Sequence, residues 1–246
     1  DDILAAHKAA LARDRVYVAA VGDITPEQLG ALLDHLLGDL PATGAPLPGV
    51  AKLDLTGGVT VVDFPTPQAV VSFAQPGLER DDPDYFAAFV LNEIVGGERF
   101  GSRLMRELRE KRGLTYGARS YLIDYDHADL LAGQFATDNK TAGQAVDVLR
   151  TEWARAAEGV TAEELAAAKT YLTGAYPLRF DGNGPIANIL VGMQMTGLPI
   201  DYSATRNQKI EAVMLDDIRR VAQRLIRPDA LRIVVVGQPE GLRTAP

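Results

Sequence analysis

The sequence contains no cysteine. That excludes a disulfide framework, a thiolate metal site and a cysteine nucleophile. Histidine is scarce as well: His7, His35 and His127 lie far apart, and none has a Glu-His neighbour. Metal-binding histidines come in clusters of defined spacing, so none of the three reads as a ligand and no metal is expected on this chain. There is no apolar run of about 18 residues, so no membrane-spanning helix is expected. Basic residues are the minority, 25 Lys and Arg against 33 Asp and Glu, for a net charge of −8. That balance argues against a nucleic-acid partner. Gly97-x-x-x-Gly101 lacks the Gly-Lys-Ser/Thr of a phosphate-binding loop, so no nucleotide site is read there.

One stretch breaks the acidic balance. Between Arg99 and Arg112 there are six Lys or Arg and two Asp or Glu, a local charge of +4. The stretch lies inside a longer run, from Gly96-Gly97 through Ser102-Arg103-Leu104 and Glu107-Leu108-Arg109-Glu110-Lys111-Arg112-Gly113 to Leu114-Thr115-Tyr116. Ser102 is placed as an N-cap. Leu104 and Leu108 give a short helix one apolar face, and Gly113 sits where a glycine ends it. Leu114 to Leu122 reads as a strand. The spacing brings Arg109, in the last helical turn, towards Tyr116 at the strand entrance. Taken alone, the charges read equally well as a solvated helix face, with Arg109 paired to Glu110 or to an acid on a neighbouring helix. Gly96-Gly97 reads as a helix terminus turning through positive φ.

The rest of the chain alternates strands and helices. Ile3 to Arg13 reads as the end of a helix and Val16 to Val21 as an apolar strand. Thr25-Pro26-Glu27-Gln28 is a helix start with cap, N1 proline and early acid. Leu29, Leu32, Leu33, Leu36 and Leu37 follow on one face, ending near Gly38. Pro41 to Gly49 is the best linker in the chain. Beyond it, Val59 to Phe64 and Ala69 to Ala74 are strands separated by Pro65-Thr66-Pro67. Asp81-Asp82-Pro83-Asp84 starts a helix that runs to the glycine pair. Leu130 to Thr137 is a strand, and Asn139 to Ala157 an amphipathic helix with Trp153, capped at Asp138-Asn139. Thr161-Ala162-Glu163-Glu164 is a capping box. Pro185 to Thr196 and Leu215 to Ile226 are helices, and Leu231 to Val236 is the last strand. Residues 7–22 and 222–237 align without a gap, as the ends of two similar lobes would. Short strands in neighbouring pairs predict an α+β fold, with a mostly antiparallel sheet and helices packed on one face.

The run from Gly96 to Tyr116 closely resembles the second-lobe signature of the pitrilysin/insulinase family of zinc metallopeptidases, in the branch that includes mitochondrial processing peptidase. Val21 to Pro41 resembles the end of such a lobe. The resemblance implies that residues 1–45 are the tail of a preceding similar lobe plus the start of a linker, and residues 50–246 a C-terminal lobe. It implies that Arg109 donates to a carbonyl of bound peptide, that the Tyr116 hydroxyl helps hold the oxyanion, and that Gly96 and Gly97 lie at the substrate entrance. It also implies a zinc ion held by H-x-x-E-H on a helix. This chain has no such motif, so the zinc is expected on a partner lobe or subunit and the chain is expected to be inactive alone. The reading is therefore the non-catalytic, substrate-binding half of a zinc endopeptidase, one part of a larger chain or of a heterodimer. The alternatives are a structural assembly subunit with no proteolytic role and an independent acidic binding module. Asp1-Asp2-Ile3-Leu4 is acidic and no secretory signal is read there. The composition fits a soluble bacterial protein of periplasm or cytoplasm.

Overall fold

The computed structural model describes residues 1–53, 55–125 and 127–245. In chain order the main elements are α1 (Asp2–Ala10), α2 (Pro26–Leu37), β1 (Gly58–Asp63), β2 (Gln68–Pro76), α3 (Tyr85–Gly96), a π-helix (Met105–Glu110), β3 (Ala118–Tyr125), β4 (Ala128–Asp138), α4 (Ala142–Ala157), α5 (Ala162–Ala175), α6 (Asn183–Met195), α7 (Tyr202–Glu211), α8 (Leu215–Leu225) and β5 (Arg232–Gly237). They form two compact units, Asp1–Gly49 with Gly174–Ala204, and Val50–Thr173 with Thr205–Pro246.

The second unit holds a five-stranded sheet in the order β1-β5-β2-β4-β3. β1 pairs with β5 in parallel; the β5-β2, β2-β4 and β4-β3 pairings are antiparallel. Side chains alternate across each strand. Val71 and Phe73 of β2, Leu131 and Phe135 of β4, and Ile233 and Val235 of β5 are buried. Against them lie Leu91 and Ile94 of α3, Val146, Leu149 and Trp153 of α4, and Ile218 and Val221 of α8, in one core cluster. Val62 and Val70 remain exposed on the other face. The α+β expectation, mostly antiparallel with helices on one face, is met. The pairing of neighbours is not: β1 and β2 follow one another in sequence, yet β5 lies between them. Pro65 and Pro67 have no N–H and fixed φ, so their connector is no tight hairpin turn. Phe64 N donates instead to Gly237 O at 3.1 Å, and Asn139 Nδ2 to Thr66 O at 2.9 Å. Asn139 thus ties three segments, since its Oδ1 also accepts from Gln238 N at 2.8 Å.

Two polar clusters fasten helices to this sheet. Gln75 is fully buried, and its amide reaches three elements at once. It accepts from Trp153 Nε1 at 2.8 Å and Arg227 N at 3.1 Å, and it donates to Leu225 O. The second cluster joins α3 to α8. The Asp84 carboxylate, at the start of α3, makes no cap bond. It accepts from Arg220 Nη2 at 2.6 Å and Arg224 Nη1 at 3.0 Å instead. Two nearby guanidinium groups outcompete a single backbone N–H. Asp82 takes over locally, its Oδ1 accepting from Asp84 N at 2.8 Å.

In the first unit the Thr25 start is as expected. Its hydroxyl accepts from Gln28 N at 3.3 Å, and Gln28 Oε1 accepts from Thr25 N at 3.0 Å. α2 carries the leucine face but buries no residue. Val16 to Val21 is the clearest departure from the sequence reading, since it lies outside any strand. The backbone at Val16 is extended, with φ −101° and ψ 124°. A strand needs a hydrogen-bonded neighbour, and among the described residues none pairs with this run. Gln194 Nε2 donates to Val18 O at 2.9 Å.

The Gln75 node generates a test. Gln75→Leu leaves a buried indole N–H, a carbonyl and an amide N–H without partners, and should lower the unfolding free energy by about 2–4 kcal/mol. Trp153 is the one tryptophan in the chain, so its fluorescence reports the transition directly.

Candidate functional site

The site is built from the end of α3, the loop after it, the π-helix and the turn into β3. Gly96 and Gly97 close α3. Gly97 has φ −65°, and neither glycine adopts positive φ. The turning explanation is therefore corrected: these glycines are small because their surroundings are close. A Cβ on Gly96 would collide with Ser120 Oγ and Leu104, and one on Gly97 with the Glu93 carboxylate. Glu93 went unnoticed in the sequence, where it is one acid among 33. It is buried, and burial pushes its carboxyl above the usual range, against the opposing pull of the Arg99 backbone and charge. Arg99 N donates to Glu93 Oε1 at 3.4 Å, and its Nε lies 3.8 Å from the same oxygen. The segment after the glycines is thus held back onto the end of α3.

Ser102 was expected to cap the next helix through its side chain. Its carbonyl does open the helix, accepting from Arg106 N at 3.0 Å, but its Oγ is buried with no hydrogen-bond partner. The helix itself is π-type from Met105 to Glu110 rather than α. Lys111 N donates to Arg106 O at 3.0 Å, five residues back. The wide turn aligns residues five apart, where an α-helix aligns residues four apart. Arg112 accordingly reaches Glu107, with Nη1 2.7 Å from Oε2. Leu104, Met105 and Leu108 are buried beneath.

Glu107 gathers the local charge. Besides Arg112 it receives Lys111 Nζ at 2.7 Å, and Arg106 Nε lies 3.6 Å away. Burial pushes the Glu107 carboxyl up, but the Lys111 and Arg112 hydrogen bonds outweigh it and hold the pKa at about 2. Arg103 is buried and paired elsewhere, its Nη2 2.6 Å from Glu164 Oε2. Glu164 is also the far half of the capping box on α5, as Thr161 N donates to it at 3.0 Å. Of the six basic residues from Arg99 to Arg112, five therefore have a carboxylate partner. Arg109 has none among the described residues. Its guanidinium carbon instead lies 5.1 Å from the centroid of the Phe100 ring.

Past the helix, Gly113 has φ +62°, the left-handed C′ glycine the sequence suggested. Gly113 N donates to Arg109 O at 2.9 Å and Leu114 N to Leu108 O at 2.8 Å. Strand β3 starts at Ala118 rather than Leu114, because residues 114–117 form a turn. The Thr115 hydroxyl accepts from Gly117 N at 3.2 Å and donates to Gly117 O at 3.0 Å. Leu114 and Ala118 are buried on either side, and Tyr116 between them is 87% exposed. The backbone bonds to Gly113 and Leu114 tie the turn to the helix end that carries Arg109. No hydrogen bond or ring contact joins Arg109 to Tyr116 themselves. Among the described residues, no group of three or more His, Asp or Glu could hold a metal ion. The three histidines do not fit a zinc site.

The family model described as the peptidase M16 inactive domain matches residues 1–172. An uncharacterized zinc protease of Streptomyces coelicolor is 32% identical over 204 residues, 80% of this chain and 42% of that protein. The mitochondrial-processing peptidase β subunit of Neurospora crassa is 27% identical over 245 residues, 93% of this chain and 51% of that protein. The crystal structure of a peptidase M16 inactive domain from Pseudomonas fluorescens superposes with a TM-score of 0.76 at 28% identity, over 94% of this chain and 56% of that one. The chain thus spans about half the length of the relatives it matches.

Glu107 supplies the pH test. Its folded pKa of about 2 lies below the ordinary 4.5, so its stabilising contribution is complete above about pH 5 and is lost as pH falls towards 2. Glu107→Gln should cost about 1–3 kcal/mol at neutral pH and flatten the acid limb of a stability–pH curve. Chemical denaturation at a series of pH values measures both.

Proposed function

The chain belongs to the peptidase M16 family, as its inactive domain, and from that membership we propose that it is the substrate-holding part of a zinc endopeptidase. The observation that carries the reading is Arg109. It lies among cations that are each neutralised by a carboxylate, yet among the described residues it keeps its charge unpaired, and it is half-exposed. A purely structural arginine gains from a salt bridge; a substrate-binding one must keep its donors available. Tyr116 fits the same pattern, an exposed phenol on a pinned backbone turn.

In this reading the Arg109 guanidinium donates to a carbonyl of the bound peptide. The Tyr116 O–H donates to the oxygen on which negative charge develops when water attacks the scissile carbonyl. The turn carrying Tyr116 is pinned by the Thr115 hydroxyl, and the Arg109 guanidinium lies against the Phe100 ring, so little rearrangement is needed on binding. Gly96 and Gly97 bring the loop close to α3 and set the entrance beside these donors. Zinc, which these residues do not hold, is supplied by another lobe or subunit and activates the water. Residues 1–45 belong to a preceding lobe of similar build, and the extended run Val16 to Val21 supplies a strand to it.

Two measurements test the reading. With the zinc-bearing part present, Arg109→Ala and Tyr116→Phe should each lower kcat for a peptide about 10²-fold. Neither change removes a salt bridge, so Tm should stay within about 2 °C. Unaltered turnover in both variants would overturn the substrate role. In the full-length protein, the amides of Tyr17 to Ala20 should exchange slowly with deuterium, as strand amides do. Rapid exchange there would remove the strand assignment.

A further inference from the structure

Phe100 carries nothing in the sequence that marks it, yet it is the partner of the Arg109 guanidinium in the structure. The ring is 64% exposed. Exposure has not left its loop loosely held. On one side Gly97 closes onto Glu93, and Arg99 is tied to the same carboxylate. On the other, Ser102 N donates to Arg99 O at 3.2 Å, and Ser102 is fully buried. The ring thus lies between two anchored residues, and the Arg109 guanidinium lies over it.

The choice of an aromatic ring has a chemical logic. A long arginine side chain with nothing to lie against samples many rotamers, and ordering it on binding costs affinity. A carboxylate would order it but would also occupy its donors and cancel its charge. A ring face attracts the cation through its quadrupole and takes up none of the N–H groups. We propose that Phe100 is a positioning residue for Arg109: the ring holds the guanidinium ready for a peptide carbonyl while leaving its charge and donors available. This rests on the reading of Arg109 as a substrate donor.

The test uses the full-length protein with its zinc-bearing part and a fluorogenic peptide. Phe100→Leu, which keeps bulk but removes the π face, should lower kcat/KM about threefold to fivefold. Phe100→Tyr and Phe100→Trp should restore it. In an Arg109→Ala background, Phe100→Leu should have no further effect, because the two residues act as one unit. Full activity in Phe100→Leu, or an equal loss with and without Arg109, overturns the positioning role. Should Arg109→Ala itself leave turnover intact, the substrate reading fails on its own account. A second readout then judges the stacking separately. The Arg109 Hε resonance should be shifted upfield by the ring current, collapse in Phe100→Leu and persist in Phe100→Tyr. An unshifted resonance in the parent protein overturns the stacking itself.

Discussion

The arrangement around the site depends on one buried carboxylate. Glu107 is buried in the π-helix, as are Met105 and Leu108. A lone ionised acid there would be costly. With Lys111 and Arg112 hydrogen-bonded to it and Arg106 close by, it becomes the point at which a strongly basic segment can lie against a hydrophobic core. The same carboxylate decides which cation is left over. By engaging three neighbours, and with Arg103 taken by Glu164, it leaves Arg109 as the outward charge. The π turn is part of this, because only the five-residue offset lets Arg112 meet Glu107 through both its side chain and its backbone carbonyl.

Behind that segment the scaffold is conventional and rigid. Gln75 fixes β2, α4 and the exit of α8 to one another, and the Asp82–Asp84 pair fixes the start of α3 to α8. The far end of α3 is fixed by closeness rather than by charge, through two glycines that admit Ser120, Leu104 and Glu93. α3 is therefore clamped at both ends by different means. The loop that follows lies on the surface yet is tied back to α3 through Arg99 and Glu93.

Much of this was legible in the sequence. Capping residues are local, so Thr25, Thr161 and Gly113 announced their helix ends correctly. Arg109 and Tyr116 stood out through a long matched signature rather than through any physical pattern. The illegible parts were those that depend on distant partners. Nothing local distinguishes an α- from a π-turn at Met105–Glu110, because the distinction follows from how Glu107, Arg112 and the sheet meet. β5 slots between β1 and β2 because of hydrogen bonding across more than half the chain. The Asp84 carboxylate is engaged by two arginines more than 130 residues away. Phe100 was invisible for the opposite reason: an aromatic residue in a polar loop has no periodicity, and its meaning comes wholly from what lies over it.

The run from Val16 to Val21 has a consequence of a different kind. It is six residues of valine, tyrosine and alanine, with no charge, proline or glycine, and its backbone lacks a strand partner among the described residues. Short, uncharged, β-prone segments with open backbone edges are templates for amyloid-like stacking. Anything that pairs along this edge would therefore also act as its chaperone. Separated from such cover, the chain carries its own seed for aggregation.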